Sequence, residues 1–301
     1  MSDLLTAFLA DQRIRRMAPK SMAKDEIRIR TFLTWAEARQ LDPCLARRED
    51  VLSYLEHLQD AGHKAATLQR EFSTLGTFYE FLEERGDSGS ASHVRSIRKK
   101  YLRNCKPDAE ERQIISVEQA AQMVAATIDT RDRAILLLLL KTGIRLGELE
   151  KLDLSDVDMT GMSIRLKPTA KRTNRTVFFD HEAQEALLRW LVVRERRANG
   201  DSALFLATNR GRLLENGLRK LILRAAFRVG LHTPGAPLEK RFGPHCCRHW
   251  FTTHLRRAGM PREFIQELRG DVRREAIDIY DHIDKEELRK SYLAHVPRLG
   301  V

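Results

Sequence analysis

Apolar residues recur at helical spacing along the first 93 positions. Leu4, Leu5, Phe8 and Leu9 form one stripe, and Ile27, Ile29, Phe32, Leu33 and Trp35 form a second. Asp42-Pro43 breaks the chain. Val51, Leu52, Tyr54, Leu55 and Leu58 make a third face, closed by Gly62. Leu68, Phe72, Leu75, Phe78, Tyr79 and Phe81 make a fourth, which Gly86-Asp-Ser-Gly-Ser stops. This pattern predicts a small all-α domain of four helices over residues 1–93.

The periodicity then lapses. In residues 94–113, Arg95, Arg98, Lys99, Lys100, Arg103 and Lys106 occur with no acid between them, and Pro107 follows. We read this stretch as a basic linker. A second domain, 114–301, opens at Ser116, whose Ser-Val-Glu-Gln suits a helix N-cap before Ala120–Val124. Asp132 to Leu140 reads as a buried helix. Met162-Ser-Ile-Arg-Leu alternates and Arg175-Thr-Val-Phe-Phe is β-prone, so the polar residues between them predict a hairpin. Helical patterns resume at 183–196, 213–229, 246–258, 261–269 and 285–294, with a Pro/Gly-rich loop from Gly230 to Gly243. The expected class is mainly α, with a small antiparallel β-sheet or hairpin in the second domain.

Composition narrows the function. The 301 residues suit about two domains. The longest apolar run, Ala134–Leu140, is too short for the roughly 18 residues of a membrane span. At the N-terminus, Arg13, Arg15 and Arg16 follow the apolar stretch instead of preceding it, which is not a secretory arrangement. Four scattered cysteines give no disulfide framework, so a reducing cytoplasm is expected. Net charge is +11 and is uneven: residues 1–110 hold 19 Lys+Arg against 17 Asp+Glu, residues 111–301 hold 34 against 25. Such an excess favours a polyanionic partner, because each cation near a phosphate releases condensed counterions.

Three local patterns carry chemistry. In Thr142-Gly-Ile-Arg-Leu-Gly-Glu-Leu, Arg145 starts a helix after a glycine turn, and Glu148 lies three residues on, on the same face. A guanidinium can grip a phosphate bidentately, and Glu148 can hold it in place. In His245-Cys-Cys-Arg-His-Trp-Phe-Thr-Thr-His-Leu, His245 and Arg248 share a face. A zinc site of Cys246, Cys247, His249 and His254 is rejected: adjacent cysteines point to different sides of a helix, and no second Cys pair has zinc spacing. The third pattern, Glu267 to Ile283, surrounds Tyr280 with Arg269, Arg273, Arg274 and His282.

Arg145, then His245-x-x-Arg248, then Tyr280, spaced by 103 and 32 residues, resembles the tyrosine recombinase (phage integrase) family. The resemblance spans residues 116–295. It extends to His249, Phe251, Thr253, His254 and Leu255, and its compact size is similar to Xer-type or archaeal integrases. It implies a helical, SAM-like core-binding domain, a catalytic domain, and a C-shaped clamp on duplex DNA. It also implies a mechanism without metal, ATP or other cofactor. Tyr280 attacks a phosphodiester, a 3′-phosphotyrosyl bond forms, and a 5′-hydroxyl leaves. Arg145 and Arg248 stabilise the non-bridging oxygens, and His245 is a further donor or proton carrier. A hairpin lysine protonates the leaving oxygen; Lys171 is our choice and Lys167 the alternative. Arg95, Arg98, Lys99, Lys100 and Arg103 are placed along the DNA phosphates.

One position departs from the family. Nine residues before Tyr280, where it has His or less often Trp, stands Asp271. An ionised carboxylate accepts hydrogen bonds and donates none. Either Asp271 pairs with an active-site Arg or His, or Arg269 or Arg273 supplies the missing donor. The segment 285–295 is amphipathic, with Leu288, Tyr292 and Leu293 apolar, and could pack on its own domain; the resemblance implies instead that it docks on a neighbouring subunit of a homo-tetramer, a dimer per DNA site. Accessory proteins cannot be read from the sequence. The competing functions are a catalytically silent DNA-binding protein and a type IB topoisomerase-like nicking-resealing enzyme.

Overall fold

The computed structural model describes residues 2–87, 91–103, 113–168, 175–271 and 283–301. Contacts divide the chain into two units, Met1–Ala109 and Glu110–Val301.

The first unit follows the four apolar stripes: α1 (Ser2–Ile14), α2 (Pro19–Ala38), α3 (Arg48–Asp60) and α4 (Ala65–Glu84). Asp42 caps the 3-10 turn Pro43–Leu45 through the Cys44 amide at 2.9 Å. The core is aromatic: Phe8, Phe32, Trp35, Tyr54, Phe72, Phe78 and Tyr79 are buried, and edge-to-face pairs such as Phe8–Phe78 and Phe32–Tyr54 hold them at 5.3 and 5.0 Å. The Tyr79 hydroxyl donates to the Pro43 carbonyl at 3.0 Å, which satisfies its polar end.

The linker expectation fails for residues 94–102. This stretch is α5 (Ala91–Ile97) continued by a π-helical turn, Arg98–Leu102. Val94, Ile97 and Leu102 are buried in the first unit's core. The dense cations hid a sparse apolar stripe, which suffices because α5 lies against α3 and α4 and buries one face there. Arg95, Arg98, Lys99, Lys100 and Arg103 stay exposed. Arg95 pairs with Glu80 at 2.9 Å, and Arg95, Arg98, Lys99 and Arg103 line a groove with Gln69.

The second unit begins as expected. The Ser116 hydroxyl accepts from the Gln119 amide and the Gln119 side chain accepts from the Ser116 amide, a reciprocal cap for α6 (Val117–Ala125). Asp129 caps α7 (Thr130–Thr142), whose residues from Ala134 to Thr142 are all buried. The short α8 (Leu146–Glu150) follows. The hairpin is present, with β2 (Ser163–Leu166) antiparallel to β3 (Arg175–Phe178) and Leu166 opposite Arg175. A two-residue strand, β1 (Val157–Asp158), which the sequence pattern did not predict, pairs with the other edge of β2. Then come α9 (His181–Glu195), α10 (Glu215–Arg228), α11 (Pro244–Arg257), α12 (Arg262–Arg269) and α13 (Lys285–His295).

The buried α7 lies at the centre, packed by α6, α9 and α11. Trp250 Nε1 donates to the Ser116 carbonyl at 3.3 Å, and His254 Nε2 meets the Ile115 carbonyl at 3.1 Å, so α11 is tied to the entry of the unit.

The C-terminal helix packs on its own unit. Leu288 and Tyr292 of α13 are buried against Phe178, Phe251 and Leu255 of their own unit. The Tyr292 hydroxyl donates to the Lys141 carbonyl at 2.9 Å. Lys141, with no exposed surface, gives its ammonium to Asp180 at 2.6 Å, Glu182 at 2.5 Å and the Pro297 carbonyl at 2.5 Å. Glu182 also accepts from the Leu299 and Gly300 amides. The apolar face invoked for docking on a neighbouring subunit is therefore filled within the chain; only Leu293 of the three apolar residues is exposed.

Candidate active site

The site is built on helix ends. Helix α7 stops at Gly143, whose φ of 61° is left-handed and whose amide bonds back to Leu139. A Cβ at this position would lie 2.8 Å from Phe251 Cγ and closer still to the ring edge. Glycine is thus required both by the turn and by the approach of α11. Gly143→Ala is expected to destabilise the protein by at least about 1–2 kcal/mol, the left-handed conformation alone, with the ring clash in addition. A urea midpoint at or above that of wild type would refute this.

Two residues on, Arg145 is the N-cap of α8, and its amide donates to Glu148 Oε2 at 2.8 Å. Its guanidinium meets Glu148 Oε1 at 3.4 Å. The tighter partner of Glu148 is a residue the sequence reading missed. Arg175, the first residue of β3, donates Nη1 and Nη2 to the two carboxylate oxygens at 2.9 Å each. Both side chains are 7% exposed. The local signal was a charged residue at the start of an otherwise apolar strand, opposite Leu166. Glu148 thus holds Arg145, as expected, but through a buried bidentate pair with Arg175.

Arg248 projects from α11 and is buried. Its Nη1 donates to the Gly143 carbonyl at 2.7 Å, and its Nη2 to the Arg269 carbonyl at 2.8 Å. Burial, and next the charge of Arg269, bring its pKa down to about 10, so it remains cationic at neutral pH. His245 and His249 lie on the exposed side of the same helix.

The end of α12 joins these parts. The helix closes at Gly270 with φ 60°, leaving its last carbonyls open. Leu268 O accepts from Arg175 Nε at 3.2 Å, and Arg269 O accepts from Arg248 and, at 3.4 Å, from Arg145. Three cations meet the negative pole of one helix. Gly270 is pressed on Arg175: an added Cβ would lie 2.7 Å from its Nη1.

Asp271 follows directly. Its Oδ1 is 3.2 Å from Arg248 Nη2 and 3.7 Å from Arg145 Nη2, and its Oδ2 is 2.9 Å from Arg269 Nε. Pairing with site arginines, one of the two roles open to it in the sequence, is displayed by the described residues; Arg273, named in the other, lies outside them.

Lys167, at the root of the hairpin turn, is ion-paired to Asp153 and, at 3.4 Å, to Asp156. The Asp153 hydrogen bond raises its pKa. Hydrogen bonds from Lys167 and Arg212 hold the Asp153 carboxyl far below its usual range. A depressed native pKa adds stability above the unfolded value, about 3.9, which is lost as pH falls through the native one. Wild type should therefore exceed Asp153→Asn in urea midpoint at pH 7 by more than at pH 3. An equal gap at both would refute the linkage.

Lys171 and Tyr280, with Arg273, Arg274 and His282, lie outside the described residues. Cys246 and Cys247 are both buried, the Cys246 thiol directed to the Arg241 carbonyl. Among the described residues no group of His, Cys, Asp or Glu is placed to hold a metal, and no helix is long and apolar enough to cross a membrane.

Comparison with known proteins gives the family. Residues 110–287 match the model of the phage integrase family, and residues 5–86 that of the phage integrase N-terminal SAM-like domain. The chain belongs to the phage integrase family and is a tyrosine recombinase, an enzyme of site-specific recombination. It is 33% identical over 261 residues to the tyrosine recombinase XerC of Pelotomaculum thermopropionicum, covering 81% of this chain and 79% of that protein. It is 26% identical over 269 residues to XerD of Oceanobacillus iheyensis, covering 83% and 82%. The fold is shared with a lambda integrase dimer bound to a COC′ core site, at a TM-score of 0.70 and 18% identity, covering 95% of this chain and 99% of that one. It is likewise shared with the Tn1549 transposon integrase in complex with transposon right end DNA, at 0.71 and 16%, covering 95% and 97%.

Proposed function

We propose that this chain cleaves and rejoins duplex DNA, with Tyr280 as nucleophile and Arg145 and Arg248 as the clamp on the scissile phosphate. The observation that carries the reading is their convergence. Two guanidiniums from separate elements, α8 and α11, reach the same oxygen of an anionic group, Asp271 Oδ1. Donors fixed in place by helix carbonyls need no reorganisation as charge develops on non-bridging oxygens. Glu148 and Arg175 position Arg145. His245, on the exposed face of α11, is a further donor or proton carrier to the phosphate.

The tyrosine oxygen bonds to phosphorus and the 5′-oxygen leaves. That oxygen takes a proton from Lys171. The alternative, Lys167, is held by two carboxylates that raise its pKa, which suits a structural tie better than proton donation. A DNA 5′-hydroxyl then attacks the phosphotyrosine, so bond energy is conserved without ATP or a metal.

The exposed cations Arg95, Arg98, Lys99, Lys100 and Arg103 contact DNA phosphates in this reading, and binding falls steeply with salt. DNA-bound lambda integrase has been solved as a dimer and as a tetramer. A homo-tetramer, with a dimer per DNA site, is proposed here also, through surfaces other than the covered apolar face of α13.

The test uses nicked duplex DNA from the sequence flanking the gene, from which a short 5′-hydroxyl fragment diffuses away. Wild type in EDTA should give an SDS-resistant adduct, and Tyr280→Phe none. Absence of the adduct on DNA that wild type binds would favour the silent DNA-binding protein.

A further inference from the structure

Asp271 is set where the family resemblance predicts a donor, and its surroundings give it work of a different kind. Its two oxygens meet three guanidiniums, those of Arg248, Arg145 and Arg269. The neighbouring acid, Glu148, is engaged bidentately by Arg175. Among the described residues Asp271 is the carboxylate that meets all three of the other guanidiniums, and Arg145 shares it with Glu148 at 3.4 Å. Without it, Arg145, Arg248 and Arg269 would lose the counter-charge they share; the charge of Arg269 already lowers the pKa of Arg248.

The position of the carboxylate matters as much as its charge. Arg145 and Arg248 point their Nη2 atoms at a single oxygen, the geometry by which a pair of arginines grips one non-bridging oxygen of a phosphate. The side chains of Arg145 and Asp271 are 33% and 32% exposed, so the seat is open to an incoming ligand. A phosphodiester and a carboxylate each carry one negative charge, and both cannot occupy this seat without strong repulsion.

We propose that Asp271 is a resident counter-anion, which fills the phosphate seat of the free protein, holds the arginines in register, and must be displaced by the DNA phosphate. The proposal rests on the reading of Arg145 and Arg248 as the phosphate clamp. It makes Asp271 a positioning residue that also sets the threshold for phosphate entry.

The test measures inorganic sulfate binding by calorimetry, and the rise in melting temperature with sulfate, at ionic strength held constant with chloride. The proteins are wild type, Asp271→Asn, Asp271→Ser, Arg248→Ala and Asp271→Asn with Arg248→Ala. Both neutral variants should bind sulfate about tenfold more tightly than wild type, and sulfate should raise their melting temperatures more. The gain should vanish when Arg248→Ala is added. Sulfate affinity unchanged or weakened in the neutral variants, yet abolished by Arg248→Ala, would overturn the counter-anion and leave the clamp standing. Sulfate binding indifferent to Arg248→Ala would overturn both. Neutral variants that unfold, and that sulfate does not restore, would also overturn the proposal, because an added anion should replace the lost one.

Discussion

Arg248→Ala is expected to slow formation of the covalent protein–DNA adduct by about two to three orders of magnitude, the usual effect of removing one preorganised donor to a developing oxyanion. The side chain is buried and makes two strong hydrogen bonds to carbonyls, from Gly143 and Arg269. Its truncation removes the donor and also leaves those carbonyls without this partner. Arg248→Lys should recover little, because one ammonium cannot serve two carbonyls and a phosphate with the planar fork of a guanidinium. Single-turnover cleavage of nicked DNA at saturating protein checks this. A loss below about tenfold for Arg248→Ala would remove Arg248 from the clamp.

The second large effect concerns stability. Arg175→Met should cost about 3 kcal/mol or more, because it removes the bidentate cation from the Glu148 carboxylate at 7% exposure and leaves it the Arg145 amide at 2.8 Å and a 3.4 Å contact to the Arg145 guanidinium. Replacing a buried ion pair as a whole is far less costly than breaking it. Adding Glu148→Gln to Arg175→Met should restore much of the loss, since glutamine still accepts the Arg145 amide that caps α8. Adduct formation should remain slow in the double variant, because the guanidinium of Arg145 has lost its carboxylate. Urea midpoints separate the two effects. Equal midpoints for wild type and Arg175→Met would show that the pair contributes nothing.

Sequence patterning reached the helices well where apolar stripes were dense. The four aromatic-rich helices of the first unit, the buried α7 and the cap at Ser116 are all stated by local residues. It failed at α5, where cations outnumber the buried Val94, Ile97 and Leu102. There, packing against α3 and α4 decided what periodicity could not.

The site shows the same division. Arg145, Glu148 and Arg248 announce themselves through spacing within two helices. Arg175 does not, because its partner is 27 residues away and its value lies in a buried contact. The relation of Asp271 to three arginines was one of two sequence alternatives, and its geometry is legible only in the fold. The tail shows the same limit: amphipathic spacing says that α13 has a face to cover, and the fold shows Leu288 and Tyr292 covered within the chain.

The arginine contacts at the end of α12 run to backbone carbonyls, those of Leu268 and Arg269. A carbonyl is supplied by any residue type, so the side chain at position 269 can change while its hydrogen-bonding role toward Arg145 and Arg248 persists. What cannot change is where the helix stops. Insertion or deletion of one residue within Arg262–Arg269 would turn its final carbonyls by about 100° and shift them by about 1.5 Å, away from all three arginines together. For this segment the inherited constraint is one of length, and single-residue indels should be tolerated worse than most substitutions.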